Sequence, residues 1–207
     1  MTPRSLVPTP LLPTPYVTIG PYLPWEFSDV HYDLTECNGQ RARGERILLT
    51  GRVLELGGQP TVNTIVEIWQ PDANGVFRSP LDPRFAQADP GFFGWGRART
   101  DGEAWYRLIT VKPGASREED GTLRCPHANV MILAVGITRN LVTAVFFSES
   151  PDAAAETVSD PVLNCVAPAD RGKLFAVRDA SLDKDGLPAY RFDLILRGEN
   201  ETPFFLD

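Results

Sequence analysis

ERILLTGRVLELGGQPTVNTIVEIWQPDANGVF, residues Glu45–Phe77, reads as two β-strands and two turns. Ile47–Leu56 is dense in β-branched and aliphatic residues, the composition of a strand. Gly57-Gly58-Gln59-Pro60 is turn chemistry, because Gly allows positive φ and Pro fixes φ and ends a ladder. Thr64–Gln70 alternates: Ile65, Glu67 and Trp69 share one face, Val66 and Ile68 the other. Asp72-Ala73-Asn74-Gly75 then turns the chain again, and Asn-Gly is the strongest short-range hairpin signal. A hairpin alone buries too little surface to be stable, so this one is expected to begin a larger sandwich.

Outward from it, the same signals repeat. Gly96–Thr100, Ala104–Thr110, Ala128–Val135, Leu141–Phe147, Phe175–Asp179 and Ala189–Leu196 all read as strands with turn residues between them. About eight short strands and almost no helix predict an all-β chain, a β-sandwich of mixed topology. Phe77–Trp95 carries Ser79-Pro80, Asp82-Pro83 and Asp89-Pro90-Gly91 and reads as a long structured loop. Loops of that length in compact domains are commonly functional or interface-forming. Ser150–Ser159 reads as a short helix or turn, with Asp160-Pro161 after it.

Residues 1–25 carry proline at positions 3, 8, 10, 13, 15, 21 and 24, which excludes a helix and favours an extended, polyproline-like arm. Leu11, Leu12, Tyr16, Val17, Ile19 and Tyr22 suit an arm laid on another surface. The expected organisation is an arm and irregular segment, 1–45, docking on a partner, followed by the sandwich domain, 46–207.

The formal net charge is -7, and no basic patch is present to neutralise phosphates, so a nucleic-acid partner is not expected. Cys37, Cys125 and Cys165 are odd in number and far apart, which fits a reducing, cytoplasmic setting better than a disulfide framework. Prolines interrupt the N-terminus where a signal peptide would need a continuous apolar stretch. No run of about 18 apolar residues exists, so no membrane span is expected.

Chemistry-bearing constellations are sparse. His31 and His127 are the only histidines, with no HxH or HExxH, so a His-rich metal site is excluded. His127 could serve a nucleophile as base, but no GxSxG elbow accompanies it. Gly94-Trp95-Gly96 lacks the Lys-Ser/Thr of a phosphate loop. Glu118-Glu119-Asp120 reads as a solvated charge run, and His31 as a surface histidine. Read from its residues alone, the chain is a soluble sandwich without a self-sufficient catalytic site.

Several motifs taken together add to this. The run GRV…VEIWQPDANGVF, then GWGRARTDGEAWYRLITVKPG, CPHANV and TAVFF, resembles the intradiol ring-cleavage dioxygenases, in particular the alpha subunits of their protocatechuate-cleaving branch. The resemblance runs from Thr18 to the Phe204-Phe205 tail. It implies non-haem Fe(III) held by two Tyr and two His, and insertion of both atoms of O2 between the hydroxyl-bearing carbons of a catechol. This sequence departs from that ligand set. Phe77 stands where the first Tyr is expected, Ser116 where the second is, and Pro126-His127-Ala128-Asn129 where P-x-H-x-H would give two histidines.

The resemblance therefore implies a degenerate site (Phe77, Ser116, His127, Asn129) with no metal and no catalytic residue in this chain. The iron would be held by a homologous beta subunit, in a higher hetero-oligomer that converts protocatechuate and O2 to 3-carboxy-cis,cis-muconate. It implies substrate-wall roles for Thr18, Ile19, Gly20, Pro21 and Tyr22 on the arm, where Gly20 admits close backbone approach and Pro21 stiffens the segment. Arg124 matches an arginine near the substrate in catalytic chains and is read here as structural. Val135 replaces an arginine that can approach the substrate carboxylate in related alpha chains, so either other groups such as Arg139 meet the carboxylate or the preferred substrate differs from protocatechuate. Two rivals stay open: a stand-alone, metal-free aromatic-binding module on the same scaffold, and an enzyme with an unforeseen metal site.

Overall fold

The computed structural model describes residues 31–118, 120–137, 140–148 and 160–205. Strands dominate: β1 (Glu36–Cys37), β2 (Gln40–Arg41), β3 (Arg46–Leu54), β4 (Ile65–Trp69), β5 (Trp95–Arg99), β6 (Trp105–Val111), β7 (Ser116–Arg117) and β8 (Leu123–Arg124) come first. β9 (His127–Leu133), β10 (Leu141–Ser148), β11 (Phe175–Arg178), β12 (Ala189–Arg191) and β13 (Leu194–Ile195) follow, with one short α-helix among the described residues, α1 (Pro161–Asn164).

β3 pairs antiparallel with β6 on one side and in parallel with β12 and β13 on the other. From β12 the sheet continues through β11, β10, β9 and β4 to β5, and the β10–β11 pairing is also parallel. The topology is thus mixed, as expected. Its two ends, β5 and β6, are consecutive in the chain and joined by a turn in which Asp101 N donates to the Trp105 carbonyl at 2.9 Å. The sheet therefore curls on itself and encloses one core. Ile47 and Leu49 of β3, Val66 and Ile68 of β4, Tyr106 and Leu108 of β6, and Val130 and Ile132 of β9 pack in that single cluster. Each such side chain contributes about 1.5–3 kcal/mol on burial. The Tyr106 hydroxyl is satisfied inside it, donating to the Phe192 carbonyl at 2.6 Å.

The founding hairpin is not formed. β3 and β4 lie in different parts of the sheet, and each has both edges occupied by other strands. The chain starts back along β3, with Thr61 N donating to the Val53 carbonyl and a bridge between Leu54 and Pro60. Asn63 then takes φ 58° and turns it away, and Thr64 and Thr100 exchange hydrogen bonds that deliver the strand to β5. The Asn74-Gly75 turn likewise opens onto the long loop and joins no paired strands. Asn-Gly does close a hairpin at β1–β2, with Asn38 and Gly39 both at positive φ, in a segment that reads as irregular from sequence.

Residues 1–30 of the expected arm lie outside the described residues, as does Ser150–Ser159. Residues 31–45 pack on this chain rather than standing apart from its sandwich. Tyr32 and Leu34 are stitched between β6 and the entry to β5, with Ile109 N donating to the Tyr32 carbonyl (2.7 Å) and Phe93 N to the Leu34 carbonyl (2.9 Å). Leu34 is 0% exposed and belongs to the core.

Candidate functional site

Two glycine turns set the floor of the site. At Gly75, φ is 76°, and a Cβ would stand 1.8 Å from the Ala115 carbonyl oxygen. At Gly114, a Cβ would stand 2.5 Å from the Ala73 carbonyl oxygen, and Gly114 N donates to the Asp72 carbonyl at 2.9 Å. Only glycine lets these backbones touch, and their contact brings the segment leading to Phe77 against the segment leading to Ser116.

Buried carboxylates hold this arrangement. Asp72, 2% exposed, accepts from Asn74 N (2.8 Å), Val76 N (3.0 Å) and Asp89 N (2.9 Å), tying the turn to the far end of the long loop. Asp82 accepts from Phe77 N at 3.1 Å and Arg84 N at 2.7 Å, while the Arg84 guanidinium reaches the Gly75 carbonyl at 2.7 Å. Burial alone would raise the Asp82 pKa, yet these N–H donors and Arg84 bring it below the usual carboxylate value.

Above this floor is a cavity of about 250 Å³. Trp69 and Phe77 form an aromatic wall, with ring centroids 6.5 Å apart, and Arg117, Arg124, His127 and Asn129 supply polar groups. His127 is 1% exposed, and its Nδ1 lies 2.7 Å from the Cys125 carbonyl oxygen. A carbonyl only accepts, so Nδ1 carries the proton and Nε2 is left as an acceptor. Burial is the main influence on this imidazole and pushes its pKa below 6.5, so the ring is neutral at pH 7.

Arg124 is 9% exposed. Its Nε donates to both Asp160 carboxylate oxygens, at 2.9 and 3.1 Å, and its Nη1 to Glu118 at 3.0 Å. Asp160, 0% exposed, also accepts from Cys125 N and from Val162 N, the latter capping α1. One carboxylate thus anchors the arginine, the strand entry carrying His127 and the helix.

Of the positions singled out from sequence, Phe77, His127 and Asn129 line one cavity. Ser116 lies behind it, 1% exposed, opposite Arg124 in the β7–β8 pairing, and its Oγ has no partner among the described residues. Thr18, Ile19, Gly20, Pro21, Tyr22, Arg139 and Glu119 lie outside the described residues. Val135 is half-exposed, and His31 stacks on Phe93 with centroids 4.6 Å apart. Sequence reading missed Asp72 and Asp160 as organising groups and Trp69 as part of the cavity wall. The signals were present, an Asp two residues before Asn-Gly and an Asp directly before a helix-opening Pro.

A family model described as Dioxygenase matches residues 19–198. The chain belongs to the intradiol ring-cleavage dioxygenase family. It is 35% identical over 217 residues to the protocatechuate 3,4-dioxygenase alpha chain of Pseudomonas putida, a match covering 96% of this chain and 99% of that one. It is also 35% identical over 184 residues to the beta chain of that enzyme from Burkholderia cepacia, covering 86% and 76%. Hydroxyquinol 1,2-dioxygenase from Pseudomonas putida DLL-E4 shares the fold with a TM-score of 0.59 at 22% identity, over 88% of this chain and 65% of that one. An intradiol ring-cleavage dioxygenase from Tetranychus urticae does so with a TM-score of 0.57 at 20% identity, over 88% of this chain and 93% of that one.

The ferric iron implied by this intradiol family does not fit the donor set found here. Phe77 has no donor atom, Ser116 is outside the cavity lining, and His127 offers a single free nitrogen. Among the described residues no group of three or more His, Cys, Asp or Glu side chains converges. No helix among them is long and apolar enough to cross a membrane.

Proposed function

We propose that this chain is the alpha subunit of a cytoplasmic protocatechuate 3,4-dioxygenase acting in aromatic-compound catabolism. It holds no iron. A homologous beta subunit holds it, and this chain's Thr18–Tyr22 segment completes the beta subunit's substrate pocket. The assembled enzyme is a higher hetero-oligomer that takes protocatechuate and O2 to 3-carboxy-cis,cis-muconate. The observation that carries this reading is the cavity of Phe77, His127 and Asn129 with Ser116 behind it, which keeps the architecture of a ligand site without the ligands. Two further observations support it. The match to alpha chains runs nearly end to end in both sequences, whereas that to a beta chain leaves about a quarter of the latter uncovered. Leu81 (81% exposed) and Phe85 (44%) on the long loop, with Trp69 (46%) at the end of β4, give an apolar surface suited to a partner.

Iron content and visible absorption test it, for the chain purified alone and co-expressed with the beta-type chain. The expected result is a colourless, iron-free chain that becomes part of a coloured complex, because tyrosinate on ferric iron absorbs in the visible. Stoichiometric iron and colour in the chain alone would overturn the reading.

A further inference from the structure

Residues 23–30 connect the arm to the segment of Tyr32 and Leu34, and a groove lies where that connector ends. Trp69, Pro80, Phe85, Phe93 and Trp95 line it, around a volume of about 330 Å³. Trp69 and Phe85 are exposed, and a contiguous aromatic surface of this kind marks a place that another segment covers. Arg78 is the one charged group on its lining among the described residues. Its Nη1 is already engaged, donating to the Pro90 carbonyl (3.1 Å), the Phe92 carbonyl (2.9 Å) and Cys37 Sγ (3.1 Å). The groove therefore suits apolar side chains rather than a charged ligand.

The chain itself arrives there. His31, where the described residues begin, stacks on Phe93 with centroids 4.6 Å apart and planes 13° apart, and stands edge-on to Trp95 at 5.7 Å. Its carbonyl accepts from Arg97 N at 3.0 Å, which pins the backbone beside the groove. At ~3.3 Å per residue, Phe27 lies within about 13 Å of His31 and Trp25 within about 20 Å. Leu23-Pro24-Trp25-Glu26-Phe27 is thus tethered within reach, and its side chains match the groove. In an extended stretch Trp25 and Phe27 fall on one face and Glu26 on the other. Pro24 fixes its own φ and so reduces the freedom lost on docking. A short tether also holds the segment at an effective concentration in the mM range, ahead of any free competitor.

We propose that this chain seats Trp25 in its own aromatic groove, with Phe27 beside it, against Trp69, Phe85 and Phe93. The clamp fixes the point from which residues 1–22 leave the molecule. Leu81, exposed and outside the groove lining, is left for a partner. The inference rests on this chain alone and holds whether or not Thr18–Tyr22 serves a partner's pocket.

The test is fluorine NMR of the full chain carrying 5-fluorotryptophan, its four tryptophans assigned by substituting each with Phe in turn. Trp105, on β6 and outside the groove, reports that each variant keeps its fold. The expected result is a Trp25 resonance without a solvent isotope shift between H2O and D2O, as for a buried indole, and unchanged on dilution. Phe85→Ser, at an exposed position, restores the full isotope shift at Trp25. Trp25→Ala moves the Trp69 and Trp95 resonances and leaves Trp105 in place. A full isotope shift at Trp25 in the unsubstituted chain would overturn the proposal, and that result needs no variant. Protection that survives Phe85→Ser, or Trp69 and Trp95 resonances indifferent to Trp25→Ala, would place Trp25 elsewhere and overturn the groove. Protection lost on dilution would give the groove to a second copy's segment and overturn docking within one chain. None of these readouts involves iron or a partner, so they fail or succeed separately from the subunit assignment.

Discussion

At Gly75 a single hydrogen decides whether two motifs can meet. A methyl there would lie 1.8 Å from the Ala115 carbonyl oxygen, in a backbone conformation (φ 76°) that L side chains avoid. Gly75→Ala is expected to cost about 2–4 kcal/mol in a urea titration, from the strained φ and the overpacking together. Gly121, also at positive φ with open space around it, is the control, and Gly121→Ala should cost about 1 kcal/mol. His127 makes the second prediction at this scale. Its folded pKa is depressed, so the unfolded chain, near 6.5, takes up a proton that the folded chain refuses. The stability this group contributes is complete above pH 6.5 and is lost as pH falls through the folded pKa. His127→Gln should flatten that part of the stability–pH curve. An unchanged curve would mean that other groups carry it. Both residues were legible as motif positions in the sequence. The work of Asp72 was not, because an Asp in a turn is ordinarily solvated, and only the approach of Asp89 N buries this one.

Strands were legible as elements because alternation is local, while pairing is not. Ile47–Leu56 and Thr64–Gln70 form strands nearly where their patterns place them, yet each pairs with strands distant in sequence. The same dipeptide, Asn-Gly, closes a hairpin at 38–39 and only turns the chain at 74–75. What separates the two is the Gly114 backbone that occupies the second turn's flank, a contact no short window contains. Asp160-Pro161 starts α1, with Asp160 as N-cap and Pro161 in the first turn. Because the same carboxylate pairs with Arg124, its loss exceeds that of a cap, about 1 kcal/mol. Asp160→Ala is expected to destabilise by about 3–5 kcal/mol, since it leaves a buried guanidinium short of its partner. Asp160→Asn keeps the oxygen that caps α1 and should fall between. Equal losses for the two variants in denaturant titrations would show that charge contributes nothing there.

For the whole molecule, closure of the curled sheet depends on a segment that composition assigns to an arm. Tyr32 and Leu34 carry the hydrogen bonds that fill the seam beside β6, and Leu34 is fully buried. Sequence could not reveal this, because the docking site is built from strands about seventy residues further on. Truncation separates the two roles of the N-terminal region. Deleting residues 1–22 removes Thr18–Tyr22 and leaves the seam, so the chain should keep its denaturation midpoint. In complex with the iron-bearing partner proposed above, the partner's iron should stay while kcat falls or KM for the aromatic substrate rises. Deleting residues 1–34 removes Leu34 as well, and the lost core side chain alone should cost about 2–5 kcal/mol. If the shorter deletion leaves the kinetics of the complex unchanged, the arm has no place in the substrate wall. If the longer one leaves the midpoint unchanged, the seam is closed by something other than Leu34. Only the combination of intact folding with altered kinetics in the first truncation, and lost folding in the second, assigns the arm to the partner and residues 31–45 to this chain.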